Sequence, residues 1–512
     1  MNDNPSPTAG TVYLVGAGPG DPSLITVAAV RALAQADVIV FDALANAELL
    51  SYARADVELI DAGKRAKQHK LTQDETNALL AEHALAGRTV VRLKGGDPYV
   101  FGRGSEEAMY LHSRGVRAVV IPGITAAMAG PAYAGIPVTH RNVATTVTFI
   151  TGHENPTKGE LQTDYRGLSL LAQRGGTLCF YMGMGRLSGI VDELHRHGLP
   201  LDTPAAVVQW GTLPRQRSVR AAMSDLQDAV ERAGLGAPAI IVIGPVAAVD
   251  KEGALRWFED RPLFGQRVVI TRTRHQASTL KEELEMLGAE VLEAPTIEIQ
   301  PTTEMGPIDA AIRNVKQYDW LILTSANGVT ALRERMALLK LDARHLAGVK
   351  IAAVGDTTVA ALEQIGIGAD LVPTRYVAES LASDLLERES MQGKRVLMLR
   401  ADIARPLLRE KLEQAGATVA DLPIYETRQP TGLPANVVEA LESDAVDWVT
   451  FTSSSTVRNF VELLGEKRDL LAKTKLASIG PITSQTIRDL GLEPTLEAEE
   501  HNVQGLVAAL RA

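Results

Sequence analysis

The second half of this 512-residue chain repeats itself. GQRVVITRT at 265–273 returns as GKRVLMLRA at 393–401, and DWLILTSANGVTAL at 319–332 returns as DWVTFTSSSTVRNF at 447–460. KIAAVGDTTVAALEQIGI at 350–367 returns as KLASIGPITSQTIRDLGL at 475–492. The offsets are 128, 128 and 125 positions, one order and nearly one register, which defines a duplicated unit. Each block is a short apolar run, a Gly/Ser/Thr turn and a helix-period stretch, so the unit is a strand–turn–helix module. Two similar α/β domains are therefore expected within 263–512.

The first half alternates in the same way without repeating. TVYLVGAG (11–18), DVIVFD (37–42), TVVRLKGGDP (89–98), ATTVTFITGH (144–153), GTLCFYMG (176–183), PAAVVQWGT (204–212) and PAIIVIGPV (238–246) read as strands between helical segments. That is again an α/β pattern. It stops near residue 249, and the charged, unpatterned stretch 250–262 reads as a linker. The expected organisation is 11–249 in two α/β lobes with a break near 125–143, then 263–512.

Composition removes several classes. There are 52 Lys+Arg against 62 Asp+Glu, and aromatics are 4%, so a basic stripe with stacking rings for nucleic acid is not expected. Cys179, the single cysteine, excludes an intrachain disulfide, fits a reducing cytoplasmic setting and reads as a small buried hydrophobe. The start MNDNPSPTAG lacks the basic-then-apolar order of a signal peptide. Residues 118–139 carry no charge, but three prolines and three glycines there argue against a membrane span.

VGAGPGDP (15–22) is a glycine turn after a strand. A dinucleotide fingerprint would need a third glycine where Asp21 stands, and that carboxylate repels a diphosphate. A nucleotide-dependent oxidoreductase is disfavoured on this ground, and a solute-capturing two-lobed protein by the start of the chain. VRLKGGDPYVFGRGSEE (91–107) runs from a strand into a sharp turn that brings bare backbone to a surface. Arg92, Lys94, Arg103 and Arg141 are candidate partners for an anionic ligand. His140 and His153 have no second ligand at helical spacing, so no metal is expected.

GAGPGDP, VRLKGGDPYVFGRGSEE, PGITAA and GIPVTHR together resemble uroporphyrinogen-III C-methyltransferase of the tetrapyrrole methylase family, over about 11–249. The resemblance implies a homodimer with S-adenosylmethionine held between two α/β lobes, and methyl transfer to C2 and C7 of uroporphyrinogen III, giving precorrin-2 on the way to sirohaem or corrinoids. Carried over, the methyl-donor contacts fall on Pro19, Gly95, Gly96, Asp97, Val100, Thr125, Ala126, Met182 and Gly211, and the proton acceptor and donor on Asp42 and Lys64. For Asp42 a strand-end cap, and for Lys64 an ordinary surface lysine, are the competing readings.

TSANGV, AAVGDTT, TRYVAESL, LPIYET, TSSSTV and SIGPITSQ resemble uroporphyrinogen-III synthase over about 263–512. That resemblance implies closure of hydroxymethylbilane with inversion of ring D, without cofactor or metal. It also implies a crossed arrangement, with 299–426 as a middle domain and 263–298 packing with 427–512. The candidate acid is Tyr425: the repeat aligns it with Ile297, so the strand pattern does not demand a tyrosine. A core tyrosine with a satisfied hydroxyl is the competing reading. The turns at Thr324-Ser325, Thr452-Ser453-Ser454 and Gly480 read either as donors to substrate carboxylates or as helix caps.

Overall fold

The computed structural model describes residues 9–63, 71–153, 163–250, 252–272, 274–373 and 378–512. These divide into two compact units, 1–266 with 285–290 and 267–284 with 291–512. Each unit contains two five-stranded sheets layered with helices, an α/β fold throughout.

In the first unit, β1 (Thr11–Gly16), β2 (Val38–Phe41), β3 (Glu58–Asp61), β4 (Val90–Lys94) and β5 (Arg117–Ile121) form a parallel sheet in the order β3-β2-β4-β1-β5. Its central strands are buried on both faces, which is why TVYLVG and VVRLK read as nearly unbroken runs. The second sheet holds β6 (Val147–Thr151), β7 (Thr177–Tyr181), β8 (Pro204–Gln209), β9 (Arg217–Ala222) and β10 (Ala239–Ile243) in the order β6-β7-β10-β8-β9. Only β6 and β7 run parallel there. The edge strands β3 and β9 contain no fully buried residue, and neither carries an apolar run to announce it.

Within the stretch expected to be a linker, Trp257, Phe258 and Glu259 pack on the second lobe. Phe258 is buried, its ring 4.6 Å from that of Tyr133, while Trp257 lies 4.9 Å from the same ring. Glu259 accepts from Gln216 Nε2 at 2.9 Å and Ser218 Oγ at 2.8 Å. Charge periodicity hid these contacts because a few aromatic anchors, not a repeating face, hold the segment.

The second unit contains β11 (Arg267–Ile270), β12 (Glu290–Glu293), β13 (Glu298–Pro301), β14 (Trp320–Leu323), β15 (Lys350–Ala353), β16 (Arg395–Ala401), β17 (Thr418–Arg428), β18 (Trp448–Phe451), β19 (Lys475–Ser478) and β20 (Leu496–Glu497). One sheet runs β12-β11-β18-β19-β20 and the other β13-β17-β16-β14-β15. The two copies of the repeat are therefore exchanged. Each sheet takes its first repeat strand, β11 or β16, from one copy and the next two, β18-β19 or β14-β15, from the other.

The same contact seals both exchanged joints. Asp319 accepts the Arg395 N–H at 2.9 Å, and Asp447 accepts the Arg267 N–H at 2.7 Å. The tryptophan after each aspartate pairs in register with both neighbours: Trp320 with Val396 and Lys350, Trp448 with Val268 and Lys475. Lys350 and Lys475 lie over those indoles at 5.2 and 5.1 Å. Among the described residues, no helix is long and apolar enough to cross a membrane.

The Arg395 amide, then Lys394, hold the Asp319 carboxyl below the usual carboxylate range. A carboxyl depressed by folding adds stability that is complete above its unfolded value and is lost as pH falls through the folded one. Asp319→Asn should lower stability at pH 7 by about 1 kcal/mol, kept small by its exposure. That difference should shrink as pH falls through the depressed folded value. Urea melts followed by tryptophan fluorescence at pH 7 and in acid check both points; an equal loss at the two pH values would reject the ionic character of the joint.

Candidate active sites

Three bare turns meet at the C-terminal edge of the first parallel sheet. Gly18 and Gly96 form an antiparallel bridge, with the Gly96 N–H donating to Gly18 O at 2.7 Å and the return bond at 3.2 Å. Gly123, after β5, lies so close that a Cβ there would meet Gly96 O at 2.3 Å and Gly16 Cα at 2.8 Å. Gly96 has a left-handed φ of 68°, yet a Cβ on it would meet nothing nearer than 4.0 Å. Gly96 thus demands glycine for its own conformation and its neighbours Gly16 and Gly123 for close approach, while the space beside Gly96 stays open.

Asp97 ties this cradle together: Oδ2 accepts the Gly123 N–H at 3.0 Å and Oδ1 the Tyr99 N–H at 2.8 Å. Thr125, at the start of the helix Ala126–Tyr133, is buried, and its Oγ1 lies 2.6 Å from Tyr181 Oη. The same hydroxyl accepts the Ala127 N–H at 3.1 Å, so the end of β7 caps a helix that follows β5. Burial raises the Tyr181 hydroxyl above its ordinary value. Tyr181 was not singled out from sequence; its place in FYMG beside Met182 was the available signal.

Strain concentrates in the turns after β4, β7 and β8. Among the described residues eight non-glycine positions have positive φ, and Phe101, Arg103, Met182, Trp210 and Thr212 are five of them. Such conformations persist only where the surroundings over-determine them, and they cluster at ligand sites. Met182, at φ 53°, is exposed. Gly211 has a different reason: a Cβ would strike Gly130 Cα at 2.7 Å. Pro19 is half-buried in the turn after β1, and Val100 and Ala126 are half-buried beside the cradle turns. Asp21 is occupied locally, accepting from Ser23 N at 2.9 Å and Tyr133 Oη at 3.0 Å.

Two of the cations expected to meet an anionic ligand are committed elsewhere. Arg92 and Lys94, at 4% and 3% exposure, are neutralised inside the lobe. Arg92 Nη2 bonds Asp42 Oδ1, and its Nε donates to Glu107 Oε1 at 3.3 Å. Lys94 Nζ reaches the same Glu107 oxygen at 2.9 Å. Burial, then Arg92, hold Lys94 below lysine's ordinary value. A β4 side-chain pattern that alternates faces concealed this, because both residues point into the helix-covered side where a carboxylate awaits. Arg103 pairs with exposed Glu106 at 2.6 Å, and Arg141 is exposed. Lys64 lies outside the described residues, as does 374–377 of TRYVAESL. His140 Nδ1 lies 2.9 Å from the Arg141 carbonyl, and no group of three metal-ligating side chains stands among the described residues. Burial pushes the Cys179 thiol up to about 12.

In the second unit, parallel strands carry the turns to common edges. Ser325 follows β14, and its Oγ accepts the Gly328 N–H at 3.1 Å while lying 2.9 Å from Tyr425 Oη. Tyr425 sits in β17 at 6% exposure, and burial raises its hydroxyl above the ordinary value, so it stays protonated at neutral pH. Ser453 caps the helix Ser454–Leu464 through a reciprocal box with Thr456. Gly480 sits before the helix Pro481–Asp489. Sequence reasoning missed Arg272, two residues after the end of β11. It is half-buried, donates Nε–H to Thr452 Oγ1 at 3.1 Å, and burial holds it below arginine's ordinary value.

The family model for tetrapyrrole (corrin/porphyrin) methylases matches residues 11–227, and that for uroporphyrinogen-III synthase HemD matches 278–508. A porphyrin biosynthesis protein HemD of Ruminiclostridium josui is 36% identical over 98% of this chain and 95% of that one. A uroporphyrinogen-III C-methyltransferase of Bacillus subtilis is 41% identical over 70% of this chain and 72% of that one. A solved uroporphyrin-III C-methyl transferase of Thermus thermophilus, complexed with S-adenyl homocysteine, is 37% identical over 47% of this chain and all of that one, with a TM-score of 0.40.

Gly123→Ala forces a Cβ against the Gly96 carbonyl and should destabilise the first unit by about 1–3 kcal/mol. Hydrogen exchange should show faster exchange at the Gly96 amide in the variant. Parent-like protection there would show that the turns can separate freely.

Proposed function

The chain belongs to the family of fused porphyrin-biosynthesis proteins in which a tetrapyrrole methylase precedes a uroporphyrinogen-III synthase, and on that premise we propose that it performs both reactions. Its second half closes hydroxymethylbilane to uroporphyrinogen III with inversion of ring D. Its first half methylates that product at C2 and C7, with S-adenosylmethionine as donor, to precorrin-2. The observation that carries the reading is the open side of Gly96 within the Gly18–Gly96–Asp97–Gly123 cradle.

The residues present fit a methyl donor. A sulfonium favours carbonyls and a carboxylate, and Gly95, Gly96 and Asp97 offer bare backbone and one acid without a phosphate-binding cation. When bound, the donor supplies an electrophilic methyl group. The protein's task is in-line positioning of a pyrrole carbon that is already nucleophilic, and removal of a proton. Gly96 leaves room beside the turns, Asp97 fixes their spacing, Thr125 borders them, and Met182 is the further contact to the donor. Asp42 takes up the proton at Oδ2, with Lys64 as the companion donor. The methylase half pairs two copies into a homodimer.

For ring closure, Tyr425 donates a proton to the departing hydroxyl, and Ser325 orients its phenol. Arg272 meets a substrate carboxylate, because a desolvated guanidinium gains most from a charged acceptor. Incubating the full chain with hydroxymethylbilane and S-adenosylmethionine, then identifying the tetrapyrroles, tests the whole reading. Uroporphyrinogen I as the sole product would overturn it.

Two variants separate the halves. Asp97→Ala should weaken S-adenosylmethionine binding by calorimetry and leave ring closure intact; unchanged affinity would reject the cradle as the donor site. Tyr425→Phe keeps the ring in place but removes the donor, so closure should slow by about 10²- to 10⁴-fold. The product should shift toward isomer I, while methylation of supplied uroporphyrinogen III continues. A rate within about threefold of the parent would retire Tyr425 as the acid, since that lies below a lost general acid's smallest effect.

A further inference from the structure

The charged cluster under β4 has one end in solvent. Glu107, from the helix Gly104–His112, is fully buried, and three donors converge on its Oε1: Arg92 Nε at 3.3 Å, Lys94 Nζ at 2.9 Å and Gln73 Nε2 at 3.1 Å. Its Oε2 is buried without a partner among the described residues. Arg92 spends its remaining donors on the Val40 carbonyl at 3.3 Å, the Leu93 carbonyl at 3.5 Å and Asp42 Oδ1. The Asp42 side chain is 32% exposed, against 5% or less for Arg92, Lys94 and Glu107.

Stability alone is a poor reason for such a cluster. Burying three charges costs more than packing apolar side chains of equal volume, and charged networks are better suited to fixing geometry. Here the guanidinium plane is held from three sides, by a strand carbonyl, a buried carboxylate and the Asp42 oxygen. Every constraint ends at one accessible carboxylate. Among the described residues Arg92 is the cation paired with Asp42, and Asp61, at the end of the neighbouring β3, accepts the Gly63 N–H at 2.8 Å.

We propose that Arg92 is the positioning residue for Asp42: clamped by Glu107, it holds Asp42 Oδ1 and so aims Oδ2 at the proton to be removed during methyl transfer. The proposal rests on the reading of Asp42 as the acid–base carboxylate. Glu107 serves as the buried counter-ion that fixes the guanidinium, and Lys94 balances its charge.

The test uses the full chain with supplied uroporphyrinogen III and S-adenosylmethionine. Arg92→Gln should lower kcat for methylation about 10²-fold, the scale of a carboxylate displaced by about 1 Å. KM for uroporphyrinogen III and calorimetric affinity for S-adenosylmethionine should stay within about threefold, below that kinetic scale. Arg92→Lys, which keeps the charge, should recover part of kcat. In an Asp42→Asn background, Arg92→Gln should add almost nothing, because the two residues act as one. If Asp42→Asn itself retains parent kcat, the reading of Asp42 falls and this proposal with it. If Asp42→Asn is slow but Arg92→Gln keeps parent kcat, or the two losses multiply independently, the positioning role is overturned while Asp42 stands. Should Arg92→Gln not fold, the double variant Arg92→Gln/Glu107→Gln removes both buried charges, and the same kcat loss with unchanged KM is expected of it; a parent-like kcat there overturns the proposal equally.

Discussion

Parallel strands release all of their following turns at one edge, and this chain places its chemistry on that consequence. In the first unit β1, β4 and β5 run parallel side by side, so VGAGPG, KGGDP and PGIT emerge together although they are far apart in sequence. Their meeting is possible only because Gly16 and Gly123 lack the side chains that would keep the backbones apart. A Cβ at Gly123 alone would lie 2.3 Å from a carbonyl oxygen. The turn geometry, the Asp97 bridge and the strained φ angles around it all follow from that approach.

The same sheet explains the division of labour among its charges. Alternation along β4 sends Arg92 and Lys94 to the side covered by the helix Gly104–His112, and the adjacent pair Glu106-Glu107 divides between solvent and interior. Glu106 answers Arg103 on the surface; Glu107 answers the two buried cations. Identical residue types one position apart thus acquire opposite roles from helix phase alone. The exposed pair adds little to stability, whereas removing one buried partner strands a charge in a medium that solvates it poorly.

The second unit shows how a duplication becomes two sheets without becoming two consecutive domains. An Asp-Trp step opens β14 and β18, and in each case the aspartate accepts an amide from a strand of the other copy. The indole then pairs in register with the strands on either side. Because both copies carry the same step, each offers a socket that either first strand can fill. The long strand β17, antiparallel to β13 and parallel to β16, completes the middle sheet and brings Tyr425 opposite Pro301.

The sequence by itself determined the α/β class, the duplicated module, the family resemblance and the positions of the glycine turns, since these rest on local periodicity and on residues whose backbone freedom is intrinsic. Edge strands such as β3 and β9 escaped it, because a strand wetted on one side and unpaired at its edge needs no apolar run. So did Tyr181 and Arg272, whose environments are assembled from segments tens to hundreds of residues away. Only the tertiary structure decided that Arg92 and Lys94 face Glu107 rather than a ligand, that Trp257, Phe258 and Glu259 are docked, and which strands of the two repeat copies pair in register. Those outcomes depend on which faces meet, and burial is a property of that meeting that no residue's own chemistry encodes.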